Sequence, residues 1–293
     1  AESGGGVCAF GKFQMSGQAV IRSCTAEGPS FNCGGGVNVD GSFEMSGEAI
    51  IEGCQAISTP SSPSKGGGVH LANNTEFTLS GSAAIKKCMA VNSAGSGETY
   101  GGGVSANNVK KITLADSASI AACTAANGSG LYITGSSWDP NVYGQLYANG
   151  GLVDGDVVLG NKDRNDEPCT ITGLGGTVFK GKVTVTPGST IEKGTFNGEV
   201  INNGTITGGV FNSTVSGSGT ITGGTFNTPM TGSGTKNDPY QISTAEQLKL
   251  FRDIVNGAGG QTQNRGAYAV LTANIDLNNK PWTPIGNYTE GNQ

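Results

Sequence analysis

The chain has 293 residues, 51 of them glycine, and only 13% are Asp, Glu, Lys or Arg, well below the ~25% of an average soluble protein. Its net charge of −5, with no basic cluster, argues against nucleic acid or an anionic membrane as partner. No apolar run approaches the ~18 residues of a membrane span, so no membrane insertion is expected in this segment.

Taken in order, the first 125 residues repeat one pattern. Gly-Gly-Gly-Val begins at Gly4, Gly34, Gly66 and Gly101, with periods of 30, 32 and 35 residues, and each copy closes on Ile-x-x-Cys-x-Ala. A β-rich repeat of this size means stacked coils. In the second copy the glycine triplet suits a tight corner. Val37 and Val39 alternate with polar neighbours, as do Phe43 and Met45, and 49–54 supplies a third strand, so three short strands and three corners close one coil. Arg22, Glu52 and Lys86 fall at equivalent outward places and alternate in sign, which sets register rather than stability; Ala121 ends that row.

Cys24, Cys54, Cys88 and Cys123 each follow Ile21, Ile51, Ile85 or Ile120 by three residues, so stacking puts them in one structural ladder about 4.8 Å apart. Zinc sites require short-spaced convergent ligands, and there is no Cys-x-x-Cys and one histidine, His70. A buried thiol column is therefore expected, with no metal and no cofactor. Cys8, Cys33 and Cys169 lie outside the column, and His70 reads as a surface or strand histidine.

Residues 128–175 read as an irregular transition of the same solenoid, with one axis running through the blocks on either side. Trp138, Tyr143 and Tyr147 there are candidates for a sugar-stacking platform, against simple packing on the solenoid flank. Asp154, Asp156, Asp163, Asp166 and Glu167 come nearest to an acidic cluster. Asn161, Asp163 and Asn165 have the spacing of a calcium loop, but Asp166 stands where glycine is needed and Thr172 where the last glutamate belongs.

A shorter pattern follows, with a period of 15 residues between Gly204-Thr-Ile-Thr-Gly-Gly-Val-Phe-Asn and its copy at Gly219. It predicts inward columns of Ile191, Ile206 and Ile221 and of Phe196, Phe211 and Phe226, with the cross-section changing near residue 176. Thr-x-Thr recurs at 170/172, 184/186, 205/207 and 220/222, and only the last two pairs are expected to share register. Ser243-Thr-Ala-Glu246 reads as a capping box with Ser243 at the N-cap, ahead of a helix over 245–255 bearing Leu248, Phe251 and Val255 on one face and stopped by Gly257. Residues 268–277 alternate as a strand. Four regions result: coils over 1–127, the transition over 128–175, short-period coils over 176–230, and a helix-containing cap or next module over 231–293.

The Gly-Gly-Gly-Val … Met-Ser-Gly … Ile-x-x-Cys-x-Ala pattern resembles the right-handed parallel β-helices of bacterial surface proteins, described as pectate-lyase-like or polymorphic-outer-membrane-protein-like adhesins. Cys stands here where that pattern has Asn, which implies reduced, buried thiols. Residues 234–286 resemble the lead-in to GLUG-type repeat regions of large surface proteins, without the glycine-rich repeats that would follow. The resemblance implies an all-β, right-handed parallel β-helix with one short helix near the C-terminus, at the cell surface or secreted. Because the chain starts in mid-repeat, it is expected to be a piece of something longer.

The expected function is a non-enzymatic, monomeric adhesin-like or stalk module presenting loops to a host or dietary glycan or a surface protein. Recognition is expected at the insertions 28–33, 58–65 and 90–100, all at one corner, and in 128–175. The alternative is a polysaccharide lyase or glycoside hydrolase of the β-helix type, which requires clustered carboxylates or an acid with a Lys or Arg.

Overall fold

The structure is a computed structural model, and it describes residues 4–28, 32–59, 62–93, 97–135, 144–161, 167–227, 230–258, 261–277 and 281–286. The chain divides into two compact units, Ala1–Thr225 and Phe226–Gln293.

The first unit is a parallel β-helix. Successive coils begin at Val7, Val37, Val69, Val104, Leu131, Val157, Val183, Val200 and Val215, each paired in parallel with the next. A 16-stranded sheet and a nine-stranded sheet run along the axis. The larger sheet has two halves. They are joined through Val37–Met45, which runs unbroken for nine residues and pairs through its first half with Val69–Leu71 and through its second with Glu76–Leu79. The expected separate strands at 37–39 and 43–45 are thus one strand. In the next coil two extra residues and a turn at Asn74 (φ 57°) split it.

Early coils carry two further small ladders at the corner before the glycine triplet. Thr25–Gly28, Gln55–Ser58 and Met89–Asn92 pair with one another, as do Asn32–Cys33, Ser64–Lys65 and Thr99–Tyr100. Isolated bridges at Thr124 and Asn127 are their last trace. The corner ladders therefore end near residue 127, and the coils shorten again close to the change expected near 176, from 26 residues between Val157 and Val183 to 17 between Val183 and Val200 and 15 between Val200 and Val215. The described residues of 128–175 are not an irregular transition, because Leu131–Ile133, Gly144–Ala148, Leu152–Asp154, Val157–Leu159 and Cys169–Thr172 continue the sheets in register.

The triplet glycines are needed at the corner. Gly34 has φ 66°, and a Cβ there would lie 2.2 Å from the Val37 carbonyl oxygen.

Columns of apolar side chains fill the interior, and their volumes trade places along the axis. In the larger sheet Phe13, Phe43 and Phe77 stack at 5.1 and 5.0 Å, and the column continues as Ile112, Leu146, Ile171, Ile191 and Ile206. In the nine-stranded sheet the order reverses. Ile21, Ile51, Ile85, Ile120 and Val153 lead to Phe179, Phe196 and Phe211, stacked at 5.0 and 4.9 Å. A close-packed interior demands this compensation, because a coil with Phe on both sheets would be overfilled.

In the second unit Tyr240–Ile242 pairs in parallel with Ala269–Leu271, much shorter than the strand expected over 268–277. The helix is Ala245–Asn256, and its N-cap is Thr244, not Ser243. Thr244 Oγ1 accepts the Gln247 N–H at 3.1 Å, while Gln247 Oε1 accepts the Ser243 N–H at 2.8 Å. The cap is therefore shifted one residue along, and Gln247, not Glu246, reaches back, bonding the N–H of Ser243 ahead of the N-cap rather than that of the N-cap itself. Gly257 ends the helix at φ 70°. Val255 is buried, while Leu248 and Phe251 are half-buried.

Candidate functional site

The cysteine ladder forms as the spacing requires. Strands on either side of it pair in register, and Gln55, Met89 and Thr124 donate their N–H groups to the carbonyls of Cys24, Cys54 and Cys88 at 2.8, 2.9 and 2.9 Å. All seven cysteines are free thiols. Cys54, Cys88 and Cys123 are buried, and Cys24 is half-exposed. Each buried sulfur lies between two coils: the Sγ atoms of Cys54, Cys88 and Cys123 are 3.5, 3.3 and 3.3 Å from the carbonyl oxygens of Glu52, Lys86 and Ala121 in their own coils, and 4.0, 3.9 and 3.9 Å from those of Ile21, Ile51 and Ile85 in the preceding ones. The thiols act on one another. Contact with Cys88 and burial push Cys54 far up, contact with Cys123 pushes Cys88 up to about 12, and the hydrogen bond from Cys88 holds Cys123 down. Burial also raises Cys24, so Cys24, Cys54 and Cys88 are poor nucleophiles at neutral pH.

A second cluster lies on the outer side of the first half of the larger sheet. Asn38, His70, Ser105, Tyr132, Val158 and Thr184 occupy one register column there. The corner strands cover part of it, for the Tyr100 ring lies 4.7 Å from that of Tyr132, and both pack with Val158. His70 is a strand histidine, one of the two alternatives expected, and within Val69–Leu71 it is buried, at 7% exposure. Its Nδ1 has no hydrogen-bond partner among the described residues, and neither has Asn38 Oδ1. Burial, aided by the Lys65 charge, pulls the His70 imidazole down to about 3. It is therefore neutral at physiological pH and cannot serve there as a general acid–base. Where the corner strands end, a cavity of about 140 Å³ opens between Asn127, Asp156, Val158, Lys182 and Thr184. Asp156 Oδ1 accepts the Lys182 N–H at 2.9 Å, so that carboxylate braces the coil.

The remaining candidates stay apart. Tyr147 lies on the second half of the larger sheet with the Lys111 ammonium 4.4 Å from its ring centroid, a cation–π contact. Trp138 and Tyr143 fall outside the described residues. Asn161 Nδ2 donates to Glu167 Oε2 at 2.9 Å, while Asp163, Asn165 and Asp166 fall outside them. Asp154 pairs with Lys180 at 3.6 Å on the nine-stranded sheet, away from that carboxamide–carboxylate pair in register. Among the described residues no three His, Cys, Asp or Glu side chains converge as a metal site would need. Glu52 gathers Arg22, Lys86 and Lys87 at 3.1, 3.9 and 3.2 Å, as the alternating row requires.

Sequence reasoning missed one array. Thr170, Thr190, Thr205 and Thr220 share a register column beside the inward Ile171, Ile191, Ile206 and Ile221, whereas Thr184 belongs to the other half of the sheet. The signal was Thr190-Ile191, obscured because its Thr-x-Thr partner position is Glu192. No protein-family model, curated protein or solved structure matches this chain. No helix among the described residues is long and apolar enough to cross a membrane.

Proposed function

We propose that this chain is a non-enzymatic extracellular module of a larger bacterial surface protein, acting as a stalk that presents adhesive surfaces to glycan or protein. One observation carries the reading. Sheets continue in register from Val7 to Val215 while inserted chain is absorbed at the corner ahead of the glycine triplets, so contact surfaces can vary without disturbing the rod. The polar ladders, the corner strands and the cavity beside Asp156 and Lys182 lie on the outer surface of that rod.

The test is a glycan and surface-protein binding array, run beside an assay for shortened products from pectin and from host-type glycans. Binding without product release supports the reading. Catalytic shortening of any of these polymers overturns it in favour of a β-helix lyase or hydrolase.

A further inference from the structure

We propose that Cys24 and Cys54 form a thiol–disulfide exchange site, which a low-molecular-weight disulfide converts into a covalent staple between the first two coils.

Three observations lead to it. The first is placement. Adjacent strands lie about 4.8 Å apart, and Arg22 faces Glu52 and Thr25 faces Gln55 in register, so the two Cα atoms fall inside the ~4.4–6.8 Å range of a disulfide, and drawing the edge coil in by a few tenths of an ångström brings the Cβ atoms inside their range of about 3.5–4.5 Å. The second is direction. Cys54 Sγ lies between its own coil and the first, 3.5 Å from the Glu52 carbonyl oxygen and 4.0 Å from that of Ile21, and each of the two thiols perturbs the other's titration. The third is access. Cys54, Cys88 and Cys169 are sealed in the interior, at 0%, 0% and 1% exposure, whereas Cys24 is half-exposed and offers an entry point to the ladder.

The third glycine of each triplet shapes the same column. A Cβ on Gly6 would lie 3.0 Å from Cys24 Sγ, and one on Gly36 would lie 3.3 Å from Cys54 Sγ. Each sulfur thus packs against the glycine corner of its own coil, where a side chain would crowd it.

The chemistry balances with one named co-reactant. Cys24, as thiolate, attacks one sulfur of the disulfide R–S–S–R, forming a mixed disulfide and expelling R–S⁻. Cys54 then gives up its proton and attacks the Cys24 sulfur, forming the Cys24–Cys54 bond and expelling the second R–S⁻. Two protein thiols are oxidised, R–S–S–R is reduced to two R–SH, and the two thiol protons end on the leaving groups. Because burial and Cys54 hold the Cys24 thiol up, and Cys54 itself is held further up, both steps are slow at neutral pH, the second more so, and both quicken in alkali. The staple falls where it has most to add. Ile21 and Phe13 in the first coil are half-exposed, whereas their register partners Ile51 and Phe43 are fully buried.

The experiment incubates the purified chain with oxidised glutathione at mildly alkaline pH, alkylates it under denaturing conditions and maps peptides by mass spectrometry, for wild type and Cys24→Ser. The expected result is a Cys24–Cys54 cross-linked peptide pair in wild type. Its thermal midpoint should rise by several degrees, reversed by dithiothreitol, and Cys24→Ser should show neither change. Recovery of only mixed glutathione disulfides, or of cross-links confined to Cys8 or Cys33, overturns the proposal. So does an equal midpoint shift in Cys24→Ser.

Discussion

Acidification should destabilise the β-helix through one side chain, His70. Its imidazole titrates at about 3 in the folded chain against 6.5 when unperturbed, because burial and the Lys65 charge disfavour the cation more than the Ser105 carbonyl favours it. Between these values the unfolded chain binds a proton that the folded chain does not. Stability is therefore full above pH 6.5 and falls as pH drops toward 3, by about 1.4 kcal/mol per unit, or roughly 3 kcal/mol by pH 4. Carboxylates titrate in the same range, so the informative quantity is the difference between wild type and His70→Ser, which installs the residue found one coil along at Ser105. Urea unfolding at pH 7, 5.5 and 4 should show the wild type losing stability more steeply, by the amounts above, whatever the offset between the two proteins at pH 7. As the chain has a single histidine, its ring resonance reports the folded pKa directly by NMR. Equal pH slopes for the two proteins, or a folded-state resonance titrating near 6.5, would refute the argument.

Other substitutions test packing and capping. Gly68→Ala would place a Cβ 2.7 Å from Ile85 Cγ2 and 2.7 Å from the Gly103 carbonyl oxygen, so its urea midpoint should fall, reflecting about 1–3 kcal/mol. Phe196→Ala removes a fully buried ring stacked on both sides and should cost about 3–5 kcal/mol in the same assay. Ile191→Phe overfills the coil and should destabilise by about 1–3 kcal/mol, and Phe196→Ile in the same coil should recover part of that loss, a coupling that a double-mutant cycle measures. In the second unit Thr244→Ala should cost about 1 kcal/mol and speed amide exchange in the first helical turn, while Ser243→Ala should cost less.

Much of the β-helix was legible because its signals are local and repeated. The glycine triplets marked the corner, alternation at Val37 and Val39 marked inward faces, and the Ile-to-Cys spacing placed the four thiols in one ladder. The limits were equally local. Val37–Met45 read as two strands because the sequence of one coil does not show that Gly41 can keep the chain extended through the corner. The N-cap was displaced by one residue because Ser243 and Thr244 both carry the needed hydroxyl, and the folded backbone selects which one reaches the Gln247 N–H. For the site, chemistry-bearing residues could be named but not assembled. Asn161 finds Glu167, Tyr147 finds Lys111, and Asp156 braces Lys182, and these pairs lie at separate positions on the sheets.

Sequence alone determined that this chain stacks, since a short-strand coil with free edges satisfies its backbone hydrogen bonds only against another like it. It also determined that the four thiols align, since residues at one repeat position share one column. Tertiary structure decided what repetition cannot carry. It exchanged Phe for Ile between the two sheets so that each cross-section is filled once. It buried His70 beneath the corner strands, and left Cys24 open while sealing Cys54. The physical reason is that a column's composition follows from spacing along the chain, whereas volume, burial and charge environment are properties of the cross-section, set by residues far apart in sequence.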